Sequence, residues 1–155
     1  TGKFYTVLGD EIFPDGVDEN NPNITAGFLH FVDFSDLDNP VEVAKYELPG
    51  QGSHNYWIED DILYVAMYGG GVRVVDISGE LLGDLYRQGR EIGYIMTGSP
   101  NGYIPNATMS WGAQLYKGYV FYSDWNTGLG SSKVSELKPD NSKANQYINR
   151  TPIID

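Results

Sequence analysis

The chain has no cysteine among its 155 residues. That excludes disulfides, thiolate metal sites, zinc fingers and cysteine nucleophiles, while leaving the cellular compartment open. It is also short of positive charge, with 10 Lys+Arg against 21 Asp+Glu and a net charge of -11. Such a chain repels phosphate backbones, so no nucleic-acid partner is expected. No apolar run reaches the roughly 18–20 residues of a transmembrane helix, so the chain is not expected to span a membrane. No window carries an apolar i, i+3, i+4, i+7 stripe over three turns. A phosphate loop, a nucleophile elbow and a zincin motif are all missing. The first residue is Thr1 rather than Met, and no signal-peptide pattern follows it. The expectation is a processed chain or a piece of a longer one.

What is present is apolar and aromatic. Hydrophobic residues make up 41% and aromatics 14%, too much for a disordered chain. The length is about that of one domain. Short runs rich in Tyr, Phe, Val and Ile occur at Lys3 to Leu8, Phe28 to Phe34, Tyr56 to Ile58, Ile62 to Met67, Val72 to Ile77 and Tyr119 to Tyr122. Gly, Asp, Asn or Pro bounds each of them, as is usual for strands. Gly79 to Gln88 reads as a helix interrupted by Gly83, or equally as a strand with a turn. The fold class expected is all-β.

Self-similarity carries more information than any single residue. Ser53-His54-Asn55-Tyr56-Trp57-Ile58, the turn Asp60-Asp61 and Ile62-Leu63-Tyr64-Val65-Ala66 return 57 positions later. There they read Ser110-Trp111-Gly112-Ala113-Gln114-Leu115, Lys117-Gly118 and Tyr119-Val120-Phe121-Tyr122-Ser123. Phe31-Val32-Asp33-Phe34-Ser35 likewise matches Val74-Val75-Asp76-Ile77-Ser78. One unit is a hairpin, a Gly-rich turn, a third strand ending in Asp-x-Ser, and a fourth strand. Val41 to Tyr46 and Leu81 to Tyr86 are the candidates for that fourth strand. Four antiparallel strands at such a period describe a propeller blade.

The expected architecture is therefore a β-propeller segment, with about one complete blade and two partial ones. Residues 1–52 form a partial blade with an acidic loop at 11–25, residues 53–92 the complete blade, and residues 93–137 a loop and a partial third blade. Residues 138–155 form a polar tail. Lys3 to Leu8 matches the second strand of a unit, so the chain opens inside a blade. A closed propeller needs about four blades or more, so other polypeptide is expected to complete it.

The residues Phe31-Val32-Asp33-Phe34-Ser35-Asp36-Leu37-Asp38-Asn39-Pro40 and Val72-Arg73-Val74-Val75-Asp76-Ile77-Ser78 resemble the LVIVD-repeat proteins, β-propellers of bacterial and archaeal surfaces. The resemblance spans roughly Gly27 to Leu129. It departs from the pattern at Gly79-Glu80, and again at Gly130-Ser131-Ser132-Lys133, where an apolar strand with Asp belongs. It implies an extracytoplasmic propeller, in the periplasm or at the cell surface, and no settled activity.

Several residues are candidates for chemistry. His54, Asn55 and Trp111 sit where an innermost strand would face a central channel. A channel His could hold a transition metal, and a distant resemblance to selenium-binding and methanethiol oxidase propellers keeps a metal-dependent oxidoreductase as an alternative. Trp111 replaces His54 in the next unit, however, so no ring of ligands recurs, and a hydrogen-bonded structural His is preferred. Asp33 and Asp76 recur and read as acceptors for backbone N–H groups at strand-to-turn junctions. Asp15 and Asp18 belong to an oxygen-rich segment that could hold Ca²⁺, without the EF-hand order of ligands. Tyr103 and Trp125, with Trp111, could form a carbohydrate platform. The leading expectation is a non-enzymatic propeller with no cofactor, used for binding or scaffolding. Its partner is another protein or a further part of its own chain, at the periphery of an envelope or membrane complex.

Overall fold

The structure is a computed structural model and describes residues 2–16 and 25–134. Among these residues it contains strands and no α-helix. Three sheets form in chain order. The first runs β1 (Tyr5–Gly9), β2 (Leu29–Asp33) and β3 (Val41–Tyr46) as an antiparallel meander. The second holds β4 (Tyr56–Glu59), β5 (Ile62–Ala66), β6 (Val72–Asp76) and β8 (Glu91–Ile95), all antiparallel. The third holds β9 (Ser110–Tyr116), β10 (Tyr119–Asp124) and β11 (Gly128–Lys133). All three sheets are open.

The repeated hairpins form at the repeated turns. Asp60 and Asp61 have φ of 51° and 59°, and Lys117 and Gly118 have 49° and 78°. Two successive residues with positive φ make the turn whose twist matches the flanking strands. Register then follows from side-chain alternation.

The segment 79–88 departs from expectation. It is not the fourth strand of the second sheet. Gly83 and Asp84 form a two-residue strand, β7, that pairs parallel to β3 at the edge of the first sheet. Leu81 and Leu85 on either side are buried in the core that sheets one and two share. Their apolar signal is that of two plugs rather than a strand. The fourth strand of the second sheet is β8, and it runs to Ile95, past the expected unit boundary at residue 92.

The second sheet is packed on both faces. Leu63, Val65, Met67 and Val75 join Leu29, Phe31, Ala44 and Tyr46 of the first sheet in one cluster. Ile62, Tyr64, Val72 and Val74 join Ala113 and Val120 of the third sheet in another. Every residue of β5 is buried. A strand covered on both faces shows a continuous apolar run instead of alternation, which is how Ile62 to Met67 reads. Burial of each large side chain contributes about 1.5–3 kcal/mol. Tyr46 also ties the first two sheets through a polar contact. Its hydroxyl donates to Glu91 at 2.6 Å, and Arg73 pairs with the same carboxylate at 3.1 Å. Burial, with the adjacent Glu91 charge, pushes the Tyr46 phenol well above its ordinary pKa.

Candidate functional site

His54 lies just before β4 and Trp111 lies in β9, and their rings stack at 5.4 Å with only 7° between planes. The Trp111 carbonyl accepts from the Asn55 N–H at 3.1 Å and from His54 Nδ1 at 2.6 Å. A carbonyl can only accept, so Nδ1 carries the proton. The opposite ring nitrogen, Nε2, lies 3.3 Å from Glu11 Oε1. Glu11 also accepts the Tyr68 hydroxyl, and the Tyr68 ring meets the His54 ring edge-on at 5.6 Å. Burial, then the bond to Glu11 and its charge, pushes the Tyr68 phenol far above its ordinary value.

These contacts gather all three sheets at one place. Glu11 follows β1, His54 precedes β4, Tyr68 follows β5, and Trp111 lies in β9. The strand ends are tied there as well, because Tyr68 and Ser110 exchange backbone hydrogen bonds at 3.1 and 3.0 Å. His54 Nδ1 thus faces a group of the third sheet, and Nε2 one that follows β1. A metal at Nδ1 would displace the Trp111 carbonyl, whereas Nε2 and Glu11 Oε1 together offer two donor atoms, fewer than the three or four protein ligands of a zinc site. Among the described residues, no three His, Asp or Glu side chains are grouped to hold a metal. Asp15 is exposed, and Asp18 lies outside the described residues.

The recurring acids sit at strand ends. Asp33 accepts the Ser35 N–H at 2.9 Å, and Asp76 the Ser78 N–H at 2.8 Å. The serine bonds and the Lys3 ammonium hold the Asp33 carboxyl below its usual value. A third acid of this kind, Asp124, escaped sequence reading. It is buried, and it accepts from Thr97 Oγ1 and from the Met109, Asn126 and Thr127 N–H groups. Its signal was available in Asp124-Trp125-Asn126-Thr127, a strand-end acid with Asn and Thr two and three residues on. Glu11 and Tyr68 had no such signal, because their partners lie far away in sequence.

Two concave regions border this hub. Asn55, Trp57, Gly112, Gln114, Phe121 and Leu129 help line an open groove of about 380 Å³ between β4 and the outer face of the third sheet. Tyr103 and Trp125 come together around a cavity of about 200 Å³, with Ile104, Met109 and Asn126. Trp125 meets the Trp111 ring at 4.4 Å with its plane tilted by 51°, next to the stack of Trp111 on His54. His54, Trp111 and Trp125 therefore form one run of rings, while Tyr103 stands across the cavity from its outer end. Comparison with protein-family models, with curated proteins and with solved structures finds no match to this chain.

Proposed function

We propose that the chain is a segment of an extracytoplasmic β-propeller of the LVIVD-repeat kind, used for binding or scaffolding rather than catalysis. The packing of the second sheet carries the proposal. A sheet covered face to face by its neighbours on both sides is what stacked blades require. The hub supports a structural use of His54, since its ring is stacked on Trp111 and its Nδ1 donates to the Trp111 carbonyl.

The two outermost faces differ, and this bears on partners. The outward side of the first sheet carries His30 between Asp10 and Glu42, at 2.8 and 3.0 Å, and Lys45 beside Glu47. That surface sets these charges beside the exposed Leu8, which lies opposite His30. The outward side of the third sheet exposes Tyr116, Tyr119, Phe121 and Leu129, the last at 82%. Such a face fits a further β-sheet, from a protein partner or from more of the same polypeptide.

Native mass spectrometry with metal analysis of the particle as isolated tests this reading. The expected result is a particle larger than the chain, without stoichiometric metal. Substituting Tyr119→Glu together with Phe121→Glu should release a separate protein partner, or lower the melting temperature where the covering sheet belongs to the same polypeptide. A particle no larger than the chain, or a double variant that changes neither association nor melting, would refute it. Stoichiometric copper, iron or zinc lost on His54→Ala would favour the oxidoreductase instead.

A further inference from the structure

We infer that the cavity between Tyr103 and Trp125 is a binding site for an uncharged sugar. The first ground is that the backbone carrying Tyr103 is held in place before any ligand arrives. The loop from 98 to 108 has no regular structure, yet it is pinned from beneath by Asn126. Asn126 Oδ1 accepts the Ile104 N–H at 2.6 Å, and Nδ2 donates to the Ile104 and Ala107 carbonyls, each at 2.8 Å. The Tyr103 N–H donates to the Asn126 carbonyl at 3.3 Å. Gly102 lets the loop come this close, because a Cβ there would lie 2.5 Å from Asn126 Nδ2. Asn126 is itself fixed by the buried Asp124 carboxylate.

Tyr103 gains nothing from this arrangement by packing. Its side chain stays 86% exposed on a loop whose backbone is anchored, directly beside the half-exposed Trp125. An unburied ring carried on an anchored backbone presents contact area with less of the loop left to be ordered on binding.

The second ground is the absence of charge. Residues 92 to 116 include no acidic or basic side chain, in a chain where 20% of residues are charged. None of the cavity-lining residues is charged either. The hydrogen-bonding capacity of Asn126 is directed to the loop, which leaves Tyr103, with its hydroxyl, and Trp125, with its indole N–H, as the other lining residues whose side chains can hydrogen-bond. An aromatic face has a negative quadrupole that attracts polarised C–H groups. A ring with one C–H face and hydroxyls at its edge, and no ionised group, matches that lining. The volume of about 200 Å³ is below the roughly 300–1,000 Å³ of sites that engulf a whole ligand, so it suits one sugar unit of a longer chain. The inference rests on the cavity alone and stands whether or not the sheets are propeller blades.

Saturation-transfer NMR on the full chain tests it. The probes are neutral trisaccharides of glucose, mannose, galactose and N-acetylglucosamine, with a galacturonic acid trisaccharide as the charged control. At least one neutral probe should saturate at millimolar concentration or below and weaken about tenfold or more on Tyr103→Ala. Trp125→Ala should abolish the signal. Tyr103→Ala guards against misfolding, since that side chain supports no core. Absence of saturable binding by every neutral probe would overturn the inference. So would binding unchanged in Tyr103→Ala, or a charged control that binds as well as the best neutral probe.

Discussion

At the scale of single residues, the decisive groups are those whose hydrogen bonds cannot be replaced by water. Asp124 is 4% exposed and only accepts. An Asp124→Asn change would turn an amide NH₂ toward donors that now point at a carboxylate. A loss of about 1–3 kcal/mol is expected, as a lower urea midpoint with an unchanged slope. The variant should also loosen the 98–108 loop, because Asn126 loses its anchor. His30 gives the second prediction at this scale. Burial opposes its charge, but the hydrogen bonds to Asp10 and Glu42, with their charges, outweigh it and raise its pKa above 6.5. A raised folded-state value means stability that is fully present below pH 6.5 and is lost as pH rises through the folded pKa. His30→Gln should therefore be less stable than the parent near pH 5.5, and the gap should narrow above neutrality. Melting temperatures across that range check it, and a gap that widens with pH would contradict the assignment.

Elements show what a sequence can reveal without a structure. The hairpins at Asp60-Asp61 and Lys117-Gly118 were legible because a two-residue polar turn between alternating apolar runs has few other solutions. The segment 79–88 was misleading because Leu81 and Leu85 owe their apolar character to a core shared with the first sheet. Only the tertiary partner decides between a plug and a strand. β11 was hard to see for the opposite reason. Its sequence Gly-Leu-Gly-Ser-Ser-Lys has little strand character, and its place comes from pairing along all of β10. Turn chemistry supplies a prediction at this scale. Asp60 and Asp61 both adopt positive φ without a glycine. Replacing them by D60N with D61G should stabilise the chain by about 0.5–1 kcal/mol, because those residues favour this turn. Thermal unfolding measures the gain, and a loss would show that the aspartates make contacts the turn geometry does not reveal.

Across the whole molecule, the candidate site divides along the same line between local and distant information. Tyr103 and Trp125 could be singled out because aromatic residues in loops lacking a strand pattern stand out locally. Their meeting around one cavity could not be read, since it depends on Asn126 bridging to a loop about twenty residues upstream. The packing also implies unequal stability. The second sheet belongs to two buried clusters, whereas β11 pairs with β10 alone and leaves Leu129 exposed. Opening β11 uncovers little apolar surface, but exposing the amides of β5 breaks both clusters at once. Native-state amide exchange should therefore rank β5 and β6 slowest, with β11 exchanging through a local opening far below the global unfolding free energy. Val74→Ala and Val75→Ala probe the two sides of one strand, since Val74 joins the cluster with the third sheet and Val75 the cluster with the first. Both should destabilise the chain, and only Val74→Ala should also speed exchange in β9 and β10 beyond its global effect. Equal acceleration in both variants would mean that the sheets unfold as one unit, and the independent edge assigned to the third sheet would be lost.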